Sequence, residues 1–468
     1  MIAPKPAKRS EAATGDGAVT RPKKAKKPPR HDTLSTVARP PASGFLLGRE
    51  PAPSTRTRFG FAPDAALPDQ GIRPGALIFD RGEGHAAVIA PTGTGKSLNI
   101  LDPTLLETED SVIAVDVKGE LARTTSRYRR DVLKQKVHIF DVWRCVTTHS
   151  AQFNPVDMLD PDSDTLEDDV YSTMAQFYQV ASLKDPYWDG RAHSANAGIL
   201  CHIVTSPLET DRSLGRLWEI VHSDDLEFTL ATMVDSCPDM HPYARAQITA
   251  LLSVSANETR SCIISTMRQH LRVLGSSGVR RALASTSFDL QSVIDGKPMT
   301  IYFVIPPDKL ASHGTLLRLW ISSLMTLMTR RKRPPQVPTL LLLDEVAQLG
   351  RMEELSRAVT LMRGYGLRCM LMLQSYAQLR ALYPAEHEVL IENCGTIVTF
   401  GHTSLGMSHQ IEAFLGDISA EALFGMRDDE LAIRLPRSAT RIVKRVDYVQ
   451  DPEFAGRFDL DFRYLPRT

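Results

Sequence analysis

Nowhere in the 468 residues does an apolar run approach the roughly 18 residues that a membrane-spanning helix needs, which predicts a chain without a membrane span. The nearest candidate, Leu316 to Met328, is broken by Arg318 and two serines and reads as a buried amphipathic helix. No apolar stretch at the amino terminus resembles a secretory leader. Cysteine is sparse. Its six occurrences (Cys145, Cys201, Cys237, Cys262, Cys369, Cys394) include no CxxC and stand near no histidine pair at ligand spacing. That scatter predicts a reducing compartment, no disulfide framework and no zinc site. There is no net charge either, since 55 Lys/Arg balance 55 Asp/Glu. The balance is local only in part: residues 1–43 hold ten Lys/Arg against three Asp/Glu, so the remainder is net acidic.

The stretch Arg21–Arg30 has no periodic apolar face and too many prolines to fold, so residues 1–43 read as a disordered basic tail. Such a tail attracts nucleic acid or anionic lipid through screened charge. Residues 44–80, rich in Gly, Pro and Arg, read as an extended lead-in with short strands.

The chain is organised around Ala90-Pro91-Thr92-Gly93-Thr94-Gly95-Lys96-Ser97. A strand, His85–Ala90, enters it and a helix, Gly95–Leu106, leaves it, which is the setting of a phosphate-binding loop. Gly93 and Gly95 let several backbone N–H groups turn toward one anion, and the helix start adds its positive dipole end. Lys96 is placed to reach the β- and γ-phosphates of ATP, and the Ser97 hydroxyl to hold Mg²⁺. The pattern departs once, with Ala90 where the first glycine usually stands, and this requires φ to stay negative there.

Strands and helices then alternate. Ser111–Val115 ends in Asp116, Lys118–Arg130 is a helix, and Val137–Phe140 ends in Asp141. From about 160 to 285 no strand is convincing, and apolar residues recur at three and four. The α/β texture returns with strand Met299–Ile305, helix Lys309–Arg330, and the wholly apolar strand Thr339–Leu343. Helix Met352–Tyr365, strand Leu367–Leu373 and a last strand, Gly395–Phe400, follow. This order, with the phosphate loop at its start, predicts an α/β fold with a central, mostly parallel sheet. Its nucleotide-binding domain is split, 44–158 and 286–468, around an all-α insertion, 159–285.

A phosphate loop hydrolyses ATP only with a carboxylate on Mg²⁺ and a group that orients water. Asp344, ending the Leu340–Leu343 run, is placed for Mg²⁺, and Glu345 for the general base. Adjacent carboxylates favour hydrolysis over kinase chemistry, which needs an acceptor base and a lid that the sequence does not display. Gln374 ends the next strand at the same sheet edge, where its amide is placed to sense the γ-phosphate. Arg363, late in the preceding helix, is placed to reach a neighbouring subunit's nucleotide. A helix-terminal arginine facing water is the alternative there.

Together these residues resemble the type IV secretion coupling proteins, hexameric ATPases of bacterial conjugation within the FtsK/HerA-like translocase group. The resemblance rests on Ala90–Ser97, Val115–Leu121, Phe153-Asn154-Pro155, Leu340–Leu349, Gly366–Arg368, Leu373–Leu379 and Met426–Glu430, over roughly 80–435. It implies a RecA-like motor with an all-α insert, a homo-hexamer around DNA, and nucleotide at subunit interfaces. It also implies delivery of a relaxase–DNA complex to a secretion channel. By motif position Arg363 matches the arginine supplied in trans and Gln374 the γ-phosphate glutamine, and Asp116, Lys118 and Glu120 gain importance. Typical members carry N-terminal transmembrane helices, and this sequence shows none. The expected location is therefore the bacterial cytoplasm, with the inner membrane reached through a partner protein. The competing expectations are an ATP-dependent recruitment receptor for relaxase or protein cargo without DNA pumping, and a soluble FtsK/HerA-like translocase. Arg260, Arg268, Arg272, Arg280 and Arg281 bring positive charge to the insert, for DNA phosphates or a solvated face.

Overall fold

Short, fully apolar strands decide the architecture, because a strand apolar on both faces must be covered on both. The computed structural model describes residues 43–51, 75–178 and 186–461. Eleven strands form one sheet among them: β1 (Phe45–Arg49), β2 (Leu77–Asp80), β3 (Ala86–Ile89), β4 (Ser111–Asp116), β5 (Lys136–Phe140), β6 (Met299–Val304), β7 (Thr339–Leu343), β8 (Leu367–Leu373), β9 (Thr396–Thr399), β10 (Glu430–Arg434) and β11 (Arg441–Lys444). Their order is β2-β1-β11-β10-β9-β3-β8-β7-β4-β6-β5. Every pairing from β9 to β5 is parallel, and every pairing from β9 through β10, β11 and β1 to β2 is antiparallel. Residues 1–42 of the basic tail lie outside the described residues.

Alternation along the strands sorts side chains into two cores. Ala87, Ile89, Ile113, Val115, Leu341 and Leu343 join one. Ala86, Val88, Val112, Ala114, Leu340 and Leu342 join the other. Each buried leucine of β7 contributes about 1.5–3 kcal/mol. Arg129 is fully buried and spends all its donors on Thr300 Oγ1, Gln135 Oε1 and the carbonyls of Leu105, Thr108 and Asp110. It thereby ties the starts of β4 and β6 to their covering helix.

Between β5 and β6 the described residues form helices alone, from Leu166–Ala175 to Leu290–Ile294. This all-α insertion shares the first core, so it packs onto one face of the sheet. Phe153-Asn154-Pro155 is the corner that closes it. The Phe153 amide donates to the Ala282 carbonyl (2.9 Å), and the Asn154 amide to Thr286 Oγ1 (3.1 Å). Trp320, on the long helix Pro307–Thr329, donates its indole N–H to the Phe153 carbonyl (2.9 Å).

Three expectations change. The helix expected over Gly95–Leu106 opens as a π-helical turn, Ser97–Leu101, before α-helix Asp102–Glu107. Pro103 accounts for it: lacking an N–H and crowding the carbonyl four residues back, it forces the turn before it to widen. The helix expected to Tyr365 is α-helical only over Glu353–Leu361 and tightens to a 3₁₀ turn over Met362–Tyr365, ahead of Gly366 at φ +77°. Finally, the strand at 396–399 is not the last, because the β10–β11 hairpin follows and joins the sheet to β1.

Candidate nucleotide-binding site

Parallel strands deliver their carboxyl ends to one edge, where open α/β sheets bind ligands. Here β3, β8, β7 and β4 are neighbours. At their carboxyl ends stand, in the same order, the phosphate loop, Gln374, Asp344-Glu345, and Asp116 with Lys118. The register sets Asp116 and Asp344 side by side, since Val115 pairs with Leu343. A cavity of about 330 Å³ opens on this edge, lined by Thr92, Gly93, Gly95–Leu98, Val117, Lys118, Glu120, Asp344, Glu345 and Gln374. Lys96, Ser97, Asp344, Glu345 and Gln374, distant in sequence, are thus brought to one cavity.

The loop has the conformation its composition requires. Gly95 sits at φ +89°, and a Cβ there would lie 2.7 Å from Asn99 Oδ1, so only glycine fits. Ala90 is absent from the described residues with positive φ, which is the condition for replacing the first glycine. Lys96 Nζ donates to the carbonyls of Ala90 (2.6 Å) and Pro91 (3.1 Å). Burial lowers its pKa, while the Glu345 and Asp344 carboxylates push it back up.

The acidic side carries unrelieved charge. Burial, then the neighbouring Asp116 and Glu345, raise the Asp344 pKa to about 7. Burial raises that of Asp116 to about 6, even though the Ala122 amide donates to its Oδ2 (2.8 Å). Asp116 Oδ1 and Glu345 Oε1 are buried without a hydrogen-bond partner. Glu345 also holds φ +71°, a left-handed conformation that costs a non-glycine residue on the order of 1 kcal/mol. Among the described residues no group of three or more His, Cys, Asp or Glu could hold a metal unaided. A divalent cation bridged by nucleotide phosphates fits this set: it would relieve the crowded carboxylates, with Ser97 and Asp344 beside it.

Arg363 is not at this cavity. It lies on the 3₁₀ turn before β8, at the opposite edge of the sheet, exposed and paired with Glu83 (3.1 Å). Arg368 is buried there against Asp80 (3.1 Å), with its guanidinium over the Phe45 ring. In the insert, Arg260 pairs with Glu227 (2.8 Å), Arg268 bonds the Val221 and Ser223 carbonyls, and Arg280 bonds the Leu274 and Gly275 carbonyls over Trp218. These three are tied into the helical packing. The sequence reading missed Arg445, which donates to the Thr94 carbonyl (3.1 Å), and Asn99, which donates to the Val446 carbonyl (2.9 Å). Its available signal was a pair of short runs with apolar interiors and charged ends, Glu430–Arg434 and Arg441–Lys444, on either side of Pro436, a hairpin pattern.

Among the described residues no helix is long and apolar enough to cross a membrane. A family profile described as "Type IV secretory system Conjugative DNA transfer" matches residues 61–422. The chain is 24% identical over 326 residues to conjugal transfer protein TraG of Escherichia coli, covering 64% of this chain and 49% of that protein. It is 26% identical over 362 residues to protein VirD4 of Agrobacterium fabrum (strain C58 / ATCC 33970), covering 74% and 52%. It therefore spans about half the length of the curated relatives it matches. Among solved structures, plasmid coupling protein TrwB in complex with a non-hydrolysable ATP analogue aligns with a TM-score of 0.60 at 15% identity, over 88% of this chain and 96% of that one. TrwB in complex with ADP and Mg²⁺ aligns with a TM-score of 0.59 at 15% identity, over 78% and 85%. Those structures share the fold, a P-loop ATPase sheet with a helical insertion. The profile spans well over half of the sequence, and the chain belongs to the type IV secretion coupling proteins of conjugative DNA transfer.

Proposed function

We propose that this chain is an ATP-hydrolysing coupling protein that recruits a relaxase–DNA complex and pumps the DNA to a type IV secretion channel. The observation that carries the reading is the convergence of Lys96, Asp344, Glu345 and Gln374 on one cavity. The amides of Thr92–Ser97 cradle the phosphates, and Lys96 leaves its loop carbonyls for the β- and γ-oxygens. Ser97 and Asp344 hold Mg²⁺, Glu345 takes the proton of the attacking water, and Gln374 contacts the γ-phosphate. Bound Mg²⁺–ATP supplies the electrophilic phosphorus and the positive charge that keeps Asp344 ionised. Arg363 of one subunit serves the nucleotide of the next, in a homo-hexamer. Residues 44–158 and 286–468 form the motor, and 159–285 the insert. The protein works in the bacterial cytoplasm, beside an inner membrane reached through a partner.

The test is ATP hydrolysis by the purified chain with and without DNA. DNA should raise the rate, and Lys96→Ala should abolish hydrolysis in both conditions. A DNA-independent rate would remove the pumping reading and favour the recruitment receptor, in which ATP sets assembly alone.

Asp344 also gives the site a pH dependence. With its pKa raised to about 7, the carboxyl is protonated below that pH, and Mg²⁺ must displace the proton. Apparent Mg²⁺ affinity in the presence of ATP should fall with pH, approaching about tenfold per unit below neutrality. Calorimetric titrations against Asp344→Asn separate this from protonation of the nucleotide, because the amide does not titrate. Equal slopes in the two proteins would mean that another group binds the proton.

A further inference from the structure

The Met426–Glu430 motif and the hairpin after it have no place in the chemistry above, yet they end against the phosphate loop. Residue 445 lies beyond the span that the family profile matches. Its backbone amide donates to the Asp429 carbonyl (2.9 Å), and its Nε to the Glu430 carbonyl (2.8 Å). Its guanidinium stacks over Phe400, 4.4 Å from the ring centroid, and one terminal nitrogen donates to the Thr94 carbonyl (3.1 Å). The next residue, Val446, accepts from Asn99 on the turn that leaves the loop (2.9 Å). Gly401, after β9, closes on the same spot: a Cβ there would lie 2.5 Å from Thr94 Cγ2.

The Thr94–Gly95 peptide needs such a hold. Gly95 accepts φ of either sign, so sterics alone leave that peptide free to rotate. A trans peptide points its N–H opposite to its C=O. Fixing the Thr94 carbonyl toward Arg445 therefore aims the Gly95 N–H the other way, to the cavity side that Gly95 lines. We propose that Arg445 is a positioning residue for the phosphate loop, holding the Thr94–Gly95 peptide so that the Gly95 N–H faces the nucleotide phosphates. The inference rests on the nucleotide-binding reading of this cavity.

The probes are ADP and a non-hydrolysable ATP analogue, each with Mg²⁺, titrated into the full chain. Losing one hydrogen bond from a charged donor predicts about tenfold weaker binding of both by Arg445→Ala. Arg445→Lys, with a single nitrogen for two carbonyls, should fall between. The reference is Lys444→Ala, which loses the pairs to Asp429 (2.7 Å) and Glu430 (3.1 Å) on the same hairpin instead of the loop contact. It should bind as wild type does. In turnover, Arg445→Ala should raise KM by a similar factor and leave kcat within about twofold, as expected for lost uniform binding. Wild-type affinity in Arg445→Ala, or equal weakening by Lys444→Ala, overturns the proposal, the latter by showing that hairpin stability alone matters. Failure of the wild-type chain to bind either nucleotide would instead remove the nucleotide reading itself.

Discussion

Glu345→Gln should bind Mg²⁺–ATP about as tightly as wild type while hydrolysing it about 10²–10⁴-fold more slowly. The expectation comes from what the residue costs the fold. Glu345 sits at φ +71° with Oε1 buried and unpartnered, two penalties at one position. Such strain persists where the surroundings impose it and function uses it. Glutamine keeps the shape and tolerates the backbone no worse, but it cannot take a proton from water. Removing its charge also lowers the repulsion on Asp344, so Mg²⁺ binding is preserved. Lys96→Ala behaves in the opposite way, because it deletes a phosphate contact and thus weakens binding itself. Equilibrium binding and single-turnover hydrolysis on both variants separate the roles. Hydrolysis at the wild-type rate by Glu345→Gln would take the general base away from residue 345.

What the sequence displayed and what it hid have physical causes. β7 and β8 were legible to the residue, because a strand covered on both faces is apolar along most of its length, here from Leu340 and from Cys369 onward, and the polar residue that ends it is conspicuous. Asp344-Glu345 and Gln374 stand out for that reason. The insertion was legible as a change of period, from the two of strands to the three and four of helices. Its attachment was not: Phe153 and Asn154 bond residues 282 and 286, a pairing that no local pattern encodes. β10 and β11 escaped because they are short and bounded by charged residues, and a run such as Arg441-Ile442-Val443-Lys444, in which Val443 alone is buried, reads as surface. Arg445 escaped with them, since its partner is a backbone carbonyl in a loop more than three hundred positions away.

Arg363→Ala should lower hydrolysis by about 10³–10⁵-fold, and the loss should be complemented by a second inactive variant. In the proposed role the arginine comes from a partner subunit, because its own chain keeps it away from the cavity. Seven residues of β8 separate Arg363 from Gln374, and at about 3.3 Å per residue that is roughly 20 Å along the strand. One chain cannot bring this arginine to its own Lys96 without dismantling the sheet. The contact it does make, an exposed pair with Glu83, is worth at most about 1 kcal/mol, so Arg363→Ala should fold normally. Mixing Arg363→Ala with Glu345→Gln then decides the matter. An interface is intact when the Glu345→Gln subunit supplies the arginine and the Arg363→Ala subunit supplies the glutamate. In a random equal mixture about a quarter of the interfaces meet that condition in a ring of head-to-tail contacts. Hydrolysis should reappear at up to that fraction of wild type, from two proteins that are each inactive. A mixture as inactive as its parts would assign Arg363 to the surface and leave the transition-state charge to groups within one chain.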